Sequence, residues 1–371
     1  MTRSLLPLAL LALSAAACGK SDAPSGEGST LPGSKPREAA SPSGGVSLVG
    51  AGASFPYPLY TKWISEFTKQ KPDLKINYQS IGSGGGIRQI TERTVDFGAS
   101  DAPMSEEQIG KAAGILHIPT CLGAVVLTYN VEGVPSGLKI SPEAAAGIFL
   151  GKIKKWDDPA IKNENPDAKL PSKDIASVHR SDGSGTTKIF VDYLSAVSEE
   201  WKNGPGNGTS VNWPDGLGAK GNEGIAALVS STPNTVGYVE LAYAAQNKLS
   251  FASIKNKAGK FVAPSIESTT AAAAGFAAKV PDDMRISIVN PDGDDAYPIA
   301  AFTYVLAYKE QKDAAKGKAI VDFLKWAVHE GQGFTKALHY APLPREIVEK
   351  VDQKLAGITG PDGKPYLAAA P

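Results

Sequence analysis

The sequence has few of the side chains from which metal centres, disulfide frameworks and nucleic-acid-binding surfaces are built. Among its 371 residues there are 2 cysteines and 4 histidines, and 38 basic side chains balance 38 acidic ones. A net charge of zero argues against nucleic acid or an anionic membrane surface as the main partner. The histidines show no H-E-x-x-H or other metal-ligand spacing, so no metal and no other cofactor is expected. A charged ligand would therefore have to be bound by a local site.

The first cysteine, Cys18, lies at the end of an N-terminal targeting segment. A basic start is followed by an apolar run over residues 5–13, too short to span a membrane, and by A-A-A before the cysteine. The alanines satisfy the ordinary A-x-A cleavage pattern, whereas a cysteine directly after them resembles the lipobox of bacterial lipoproteins, with Ala15 in place of the commoner leucine. We predict a signal peptide over residues 1–17 and a lipid anchor on Cys18, with ordinary cleavage as the alternative.

A tether separates this segment from the folded part. Residues 18–45 contain no aromatic side chain and are rich in Gly, Ser, Pro and charge, which predicts a disordered linker after the lipidated cysteine. The folded part should begin near Val46. The second cysteine, Cys121, stands in the apolar run I-L-H-I-P-T-C-L, which indicates a buried strand, and one thiol cannot form an intramolecular disulfide. Stability must therefore come from packing.

Strands and helices alternate in the folded part, which indicates an α/β fold. Tyr60, Trp63, Ile64 and Phe67 recur at helical spacing, so residues 57–69 are expected to form an amphipathic helix. Near the C-terminus, R-I-S-I-V and A-F-T-Y-V-L-A-Y have the pattern of strands. The length suits two or three packed units better than a single core.

Four loops that each follow a strand carry small and hydroxylated residues, and three of them open a helix. In open α/β sheets, ligands sit at the carboxyl ends of strands, where helix N-termini present free N–H groups and a positive dipole end. Each loop alone is a weak signal, because Gly and Ser are ordinary turn and cap residues. Together they predict an anion site. The loops are Ala53-Ser54-Phe55, Gly82-Ser83-Gly84, Ser100-Asp101 and Ser184-Gly185-Thr186.

Two charged residues refine this prediction. Arg180 lies at a strand end beside a hydroxyl-rich helix start, where its guanidinium can donate two hydrogen bonds to one oxyanion while Asp182 holds it in place. Asp101 can accept a hydrogen bond from an oxyanion that keeps a proton, as hydrogen phosphate does near neutral pH and sulfate does not. An ionised Asp101 would therefore favour phosphate. The alternatives are a surface arginine paired with Asp182 and an aspartate that only caps a turn.

The motifs of nucleotide-binding proteins and serine hydrolases are incomplete. Gly50-Ala51-Gly52 starts like a dinucleotide fingerprint but has Phe55 where the third glycine belongs, and G-S-G-G-G-I-R lacks the lysine of a P-loop. A nucleophilic serine in the motif G-x-S-x-G has glycines two positions away on either side. The residues at these positions around Ser184 are Asp182 and Thr186. His179 could act as its base only if the fold brought the two together. A secreted phosphatase is therefore the weaker alternative.

The chain resembles the periplasmic phosphate-binding proteins of bacterial phosphate ABC transporters, from about Val46 to near the C-terminus. So many motifs in the same order make a chance likeness improbable. The motifs are G-A-G-A-S-F-P, I-G-S-G-G-G, V-D-F-G-A-S-D-A-P, L-G-K-I-K-K-W-D-D, R-S-D-G-S-G-T, V-N-W-P-D-G-L-G-A-K-G-N-E-G-I-A and T-V-G-Y-V-E.

The resemblance implies which residues bind phosphate. In that family the hydroxyl residue of the first motif and the backbone N–H of the aromatic residue after it bind the anion, and many members have Thr where this chain has Ser54. The implied proton acceptor is Asp101, and Asp182 matches the carboxylate that steadies the arginine. The implied phosphate-binding residues are Ser54, Phe55, Ser83, Asp101, Arg180, Ser184, Gly185 and Thr186.

The resemblance also implies a type II periplasmic-binding-protein fold, in which two α/β lobes joined by two crossings close on the ligand. Lobe 1 would comprise residues 46–121 and 303–371, and lobe 2 residues 122–302. We therefore expect a non-enzymatic, monomeric receptor in the periplasm, or otherwise outside the cytoplasm, that binds inorganic phosphate and delivers it to a membrane permease. Sulfate and arsenate are alternative ligands. The permease would recognise the closed, phosphate-bound state.

Overall fold

The computed structural model describes residues 45–367 as alternating strands and helices. Within that range no helix is both long and apolar enough to cross a membrane. The predicted signal peptide, the Cys18 anchor and nearly all of the tether lie outside the described residues.

The bounds of the elements are as follows. The strands are β1 (Val46–Gly52), β2 (Leu74–Ser80), β3 (Phe97–Ser100), β4 (Ile115–Asn130), β5 (Lys139–Ile140), β6 (Ala176–Arg180), β7 (Leu217–Ala219), β8 (Thr235–Glu240), β9 (Ser250–Phe251), β10 (Ser253–Lys255), β11 (Phe261–Val262) and β12 (Ala300–Tyr308). The helices are α1 (Tyr57–Lys69), α2 (Ser83–Thr91), α3 (Glu106–Lys111), α4 (Pro142–Phe149), α5 (Pro159–Lys162), α6 (Gly185–Val197), α7 (Glu199–Asn203), α8 (Gly221–Ser231), α9 (Leu241–Gln246), α10 (Ile266–Ala274), α11 (Ala314–Val328) and α12 (Arg345–Ala356).

A nine-stranded sheet runs through the molecule in the order β2-β1-β3-β12-β4-β8-β6-β7, with β9 beside β4. At one end β1 is parallel to β2 and β3, and at the other β6 is parallel to β7 and β8. The antiparallel strands β12 and β4 join the two parallel groups. A smaller sheet has the order β11-β10-β5. Each parallel group can therefore direct the carboxyl ends of its strands toward a common edge.

Strand β4 is shared between two halves of the large sheet, one containing β2, β1, β3 and β12 and the other β8, β6 and β7. Up to Ala124 it pairs with β12, and from Val125 onward it pairs with β8. The chain therefore passes between the halves in two adjacent strands, β4 and β12. The lobe boundaries at residues 121 and 302 stay predictions, and they fall close to these passages.

The first helix has the bounds expected from its spacing. Its buried face contains Tyr60, Trp63 and Phe67. Trp63 Nε1 donates to the carbonyl oxygen of Gly331 over 2.6 Å, and the Phe67 ring packs against the ring of Phe323. Burying an aromatic side chain of this size stabilises the fold by roughly 2–3 kcal/mol. This packing fixes the start of α1 and with it the loop that carries the first predicted ligands.

Two further expectations concern buried segments. Cys121 lies fully buried in β4, which confirms the strand assignment, and burial raises the pKa of its thiol well above the usual range. The strand predicted for R-I-S-I-V is wrong, because residues 285–289 form no strand. Both edges of β12 are already paired, with β3 and β4. The segment instead packs through side chains, and the Tyr304 hydroxyl donates to the carbonyl oxygen of Ile286 over 3.3 Å.

Candidate anion-binding site

The predicted loops meet between the two halves of the sheet. Ser54 follows β1, Asp101 follows β3, Ser83 begins α2 and Ser184 precedes α6. Ser83 Oγ donates to Asp101 Oδ2 over 3.3 Å. A Cβ atom added to Gly185 would lie 2.4 Å from Ser83 Oγ and 2.7 Å from Asp101 Oδ2. Loops from opposite halves are therefore in direct contact, and only glycine fits where they touch.

Arg180 is buried and held by Asp182. Its Nε and Nη2 atoms donate to Oδ1 and Oδ2 over 2.7 and 2.6 Å, and 1% of the arginine side chain is exposed. Burial raises the pKa of Asp182, but the hydrogen bonds and charge of Arg180 outweigh it, and the pKa lies below its usual range. The arginine is therefore not a surface residue. Its Nη1 edge, 3.4 Å from Thr186 Oγ1, faces the loops.

Asp101 is a buried carboxyl group, 3% exposed. Burial raises its pKa to about 7, against the opposing effects of a hydrogen bond from Thr303 and the charge of Arg180. Thr303 Oγ1 donates to Asp101 Oδ1 over 2.8 Å. The sequence analysis considered Asp101 as an ionised carboxylate. The structure shows that the group is buried, and burial disfavours its ionised form. Near neutral pH both the protonated and the ionised form of this group are populated, and the ionised form can accept a hydrogen bond from a protonated oxyanion.

Two helix N-termini supply backbone donors at the same place. Ser184 caps α6, its Oγ accepting from the N–H of Thr187 over 3.0 Å. The N–H groups of Gly185 and Thr186 lie in the first turn, where no acceptor exists within their own helix. Ser83 is the first residue of α2, after the N-cap residue Gly82, so its N–H group also lies in a first turn. The positive ends of both helix dipoles therefore favour an anion here.

Tyrosine hydroxyls fix the peptide groups of the first loop. Tyr243 donates to the carbonyl oxygen of Ser54 over 2.6 Å, and Tyr340 donates to that of Phe55 over 2.6 Å. Because the peptide bond is planar and trans, the N–H of Phe55 must point away from the Ser54 carbonyl and from Tyr243. The Phe55 ring is fully buried. The loop therefore presents this N–H group in a fixed direction.

Sequence reasoning missed two polar residues of the site. Asn222, at the start of α8, is fully buried and donates from both its backbone N–H and Nδ2 to Ser54 Oγ, over 3.1 and 2.9 Å. Thr303 belongs to β12 and holds Asp101. Asn222 stands in the motif G-A-K-G-N-E-G-I-A. An amide side chain among glycines at the start of a helix could have been predicted as a further residue of the site. The threonine had no local signal, since strand pairing alone brings it to the site.

His179 and Ser184, the base and nucleophile considered for hydrolysis, each make other contacts in this structure. The His179 ring stacks on Trp213 with centroids 4.9 Å apart, and the Ser184 hydroxyl is engaged in capping its helix. Within residues 45–367 no cluster of His, Cys, Asp and Glu side chains suits a metal ion. What the arrangement offers is a set of donors, one fixed guanidinium and one buried carboxyl group. These groups can bind an oxyanion.

Comparison with known sequences places the chain in a family. A model of the PBP superfamily domain matches residues 37–330. The phosphate-binding protein PstS of Pasteurella multocida is 48% identical over 320 residues, which cover 86% of this chain and 92% of that protein. The phosphate-binding protein PstS of Methanocaldococcus jannaschii is 42% identical over 325 residues, covering 80% and 82%.

Comparison with solved structures agrees on the fold. A phosphate-binding protein from Stenotrophomonas maltophilia has a TM-score of 0.67 at 20% identity, covering 87% of this chain and 99% of that one. An ABC-type phosphate transport receptor from Vibrio cholerae has a TM-score of 0.54 at 15% identity, covering 80% and 100%. The expected α/β, two-lobe periplasmic-binding-protein fold is confirmed. The chain belongs to the PBP superfamily and, within it, to the family of PstS phosphate-binding proteins.

Proposed function

We propose that the protein is a high-affinity receptor for inorganic phosphate that acts outside the cytoplasm and delivers phosphate to the permease of an ABC transporter. One observation carries the proposal: a buried carboxyl group, Asp101, with a pKa of about 7, stands among hydrogen-bond donors at two helix N-termini. That combination suits an oxyanion that keeps one proton. The names of the PstS relatives support the same ligand.

The donors would surround a dehydrated phosphate. Stripping water from the anion costs free energy, which several charge-assisted hydrogen bonds and two helix dipoles can offset. Arg180 would contribute the Nη1 edge that Asp182 leaves open. The proposed ligands are the hydroxyl groups of Ser54, Ser83, Ser184 and Thr186, the backbone N–H groups of Phe55, Ser83, Gly185 and Thr186, the guanidinium of Arg180 and the carboxylate of Asp101.

Asp101 would set the selectivity. Hydrogen phosphate can donate its proton to the carboxylate, whereas sulfate near neutral pH has no proton and would meet an unpaired acceptor and a like charge. Arsenate has nearly the same shape and also keeps a proton, so this group would not reject it. Sulfate is thus the less favoured ligand and arsenate the closer competitor.

Phosphate would hold the two halves together. Gly84 N–H donates to the carbonyl oxygen of Gly183 over 2.8 Å, and Ser80 Oγ donates to Glu223 Oε1 over 3.3 Å, both across the cleft. A ligand bonded to both halves would favour closure, because only the closed form satisfies both sets of donors. The permease would then recognise the closed form.

The location rests on the N-terminal sequence. We propose removal of residues 1–17 and lipidation of Cys18, with residues 18–45 acting as a tether that holds a monomeric receptor near the membrane. Lobe 1 would comprise residues 46–121 and 303–371, and lobe 2 residues 122–302.

Calorimetric titration tests the proposed function. Residues 19–371, which are the mature protein without its lipidated cysteine, would be unfolded and dialysed to remove carried-over ligand, refolded, and titrated with phosphate. The expected result is tight one-to-one binding; a refolded protein that gives no binding heat would refute the receptor. A phosphatase would instead turn over a phosphomonoester and lose that turnover in Ser184→Ala. We expect no turnover in either protein.

A further inference from the structure

We propose that Asn222 is the residue that forces the hydroxyl groups of Ser54 and Thr186 to act only as donors, so that neither of them can accept a proton of the ligand. Its role would be to position other groups and set specificity. This inference rests on the proposed function.

The orientation of the Asn222 amide is fixed by its neighbour. The backbone N–H of Glu240 donates to Asn222 Oδ1 over 2.9 Å. A backbone N–H can only donate, so the amide oxygen must face Glu240 and the NH₂ group must face the opposite side. Asn222 is fully buried, which leaves the amide no water with which to exchange these bonds.

The NH₂ group then divides its two hydrogens between two hydroxyl oxygens. One N–H bond points to Ser54 Oγ, 2.9 Å away, and the other to Thr186 Oγ1, 3.0 Å away. Ser54 Oγ also accepts from the Asn222 backbone N–H over 3.1 Å, and Thr186 Oγ1 also accepts from Arg180 Nη1 over 3.4 Å. Each hydroxyl oxygen has two lone pairs, and both pairs are now used.

The only hydrogen-bonding capacity left to either hydroxyl group is its own hydrogen. A free serine or threonine hydroxyl rotates and can donate or accept, so it tolerates a protonated or an unprotonated ligand oxygen. A hydroxyl group that can only donate can pair only with a ligand oxygen that carries no proton. Neither of these two hydroxyl groups can then receive a ligand proton, whereas Asp101 can. The two positions would therefore favour ligand oxygens that carry no proton.

The same contacts span the cleft. Ser54 belongs to the loop after β1, whereas Asn222 and Thr186 belong to α8 and α6 of the other half. If the halves separate, the two bonds to Ser54 Oγ must break. Their loss should therefore speed opening and ligand release, and should change the association rate little.

The test compares Asn222→Ala with wild type by stopped-flow phosphate binding. The variant should release phosphate on the order of 10–100 times faster, as expected for loss of one or two hydrogen bonds that act on a charged ligand. In the Ser54→Ala background the same substitution should have a much smaller effect, because the hydroxyl group it orients is gone. Asn256→Ala is the matched control, since Asn256 is also buried and hydrogen-bonded but stands in a loop elsewhere. That control should release phosphate at the wild-type rate.

A pH profile separates orientation from simple structural support. In Asn222→Asp the introduced carboxylate would accept from both hydroxyl groups, which would turn their lone pairs toward the ligand. The pH of tightest binding should then move to lower values, where the ligand carries a second proton. Unchanged release by Asn222→Ala, equal effects with and without the Ser54 hydroxyl, or an unmoved pH profile would each overturn the proposal. If wild type itself binds no phosphate, the proposed function fails, and that outcome is distinct from these three.

Discussion

Replacing Asp101 with asparagine should stabilise the ligand-free protein, and more so as the pH rises. Burial raises the pKa of Asp101 from its ordinary 3.8 to about 7. Between these values the unfolded chain is ionised while the folded chain still holds the proton, so wild type loses stability with increasing pH. At 1.36 kcal/mol per pKa unit the full loss is about 4 kcal/mol above pH 7. This is an upper value, because opening of the halves rehydrates the carboxylate.

Urea unfolding of wild type and Asp101→Asn, both stripped of phosphate, measures this effect. The variant should match wild type near pH 4 and exceed its free energy of unfolding by up to about 4 kcal/mol near pH 8. Asp352→Asn is a control of opposite sign. Although burial raises the pKa of Asp352, Lys325 and His329 lower it below the usual range, so this variant should lose stability at neutral pH and regain it in acid. A pH-independent difference for Asp101→Asn, or a variant less stable than wild type near pH 8, would refute the reasoning.

Three further substitutions probe the site and the anchor. Arg180→Lys should weaken phosphate binding about 100-fold in calorimetry, because lysine cannot hold the carboxylate and the ligand with separate edges, while Arg285→Lys should bind normally. Gly185→Ala should weaken binding at least about 100-fold without lowering the free energy of unfolding, since its Cβ would collide with the opposite half. Gly110→Ala, where an added Cβ meets nothing within 4 Å, is its control; equal affinities would contradict the tight closure. Cys18→Ser should abolish fatty-acid labelling in cells, and an unlabelled wild type would defeat the anchor.

The sequence predicted the strand-loop-helix units well because each has a local cause. The spacing of Tyr60, Trp63 and Phe67 marks one face of a helix, and this is the face that α1 buries. Four polar loops at strand ends could be assigned to one site because the carboxyl ends of parallel strands share an edge. Local patterns of this kind need no knowledge of the distant chain.

The features of the site that could not be predicted from the sequence depend on contacts between segments that are far apart in the chain. Thr303 reaches Asp101 only because β12 lies between β3 and β4, and Asn222 reaches Ser54 only because α8 and the loop after β1 come together in the fold. The raised pKa of Asp101 has the same origin, because its burial comes from elements far apart in the chain. Residues 285–289 are the opposite case, in which a local pattern predicted a strand that does not form. Both edges of the following strand β12 are already paired, with β3 and β4.

Competition between phosphate and sulfate tests the central claim most directly. The dissociation constant for phosphate would be measured near neutral pH, in wild type and in Asp101→Asn, with and without a large excess of sulfate. A site that selects its ligand through one buried proton acceptor predicts that sulfate leaves the wild-type constant unchanged and weakens apparent phosphate binding in the variant. Displacement of phosphate by sulfate from wild type, or equal discrimination in both proteins, would contradict it.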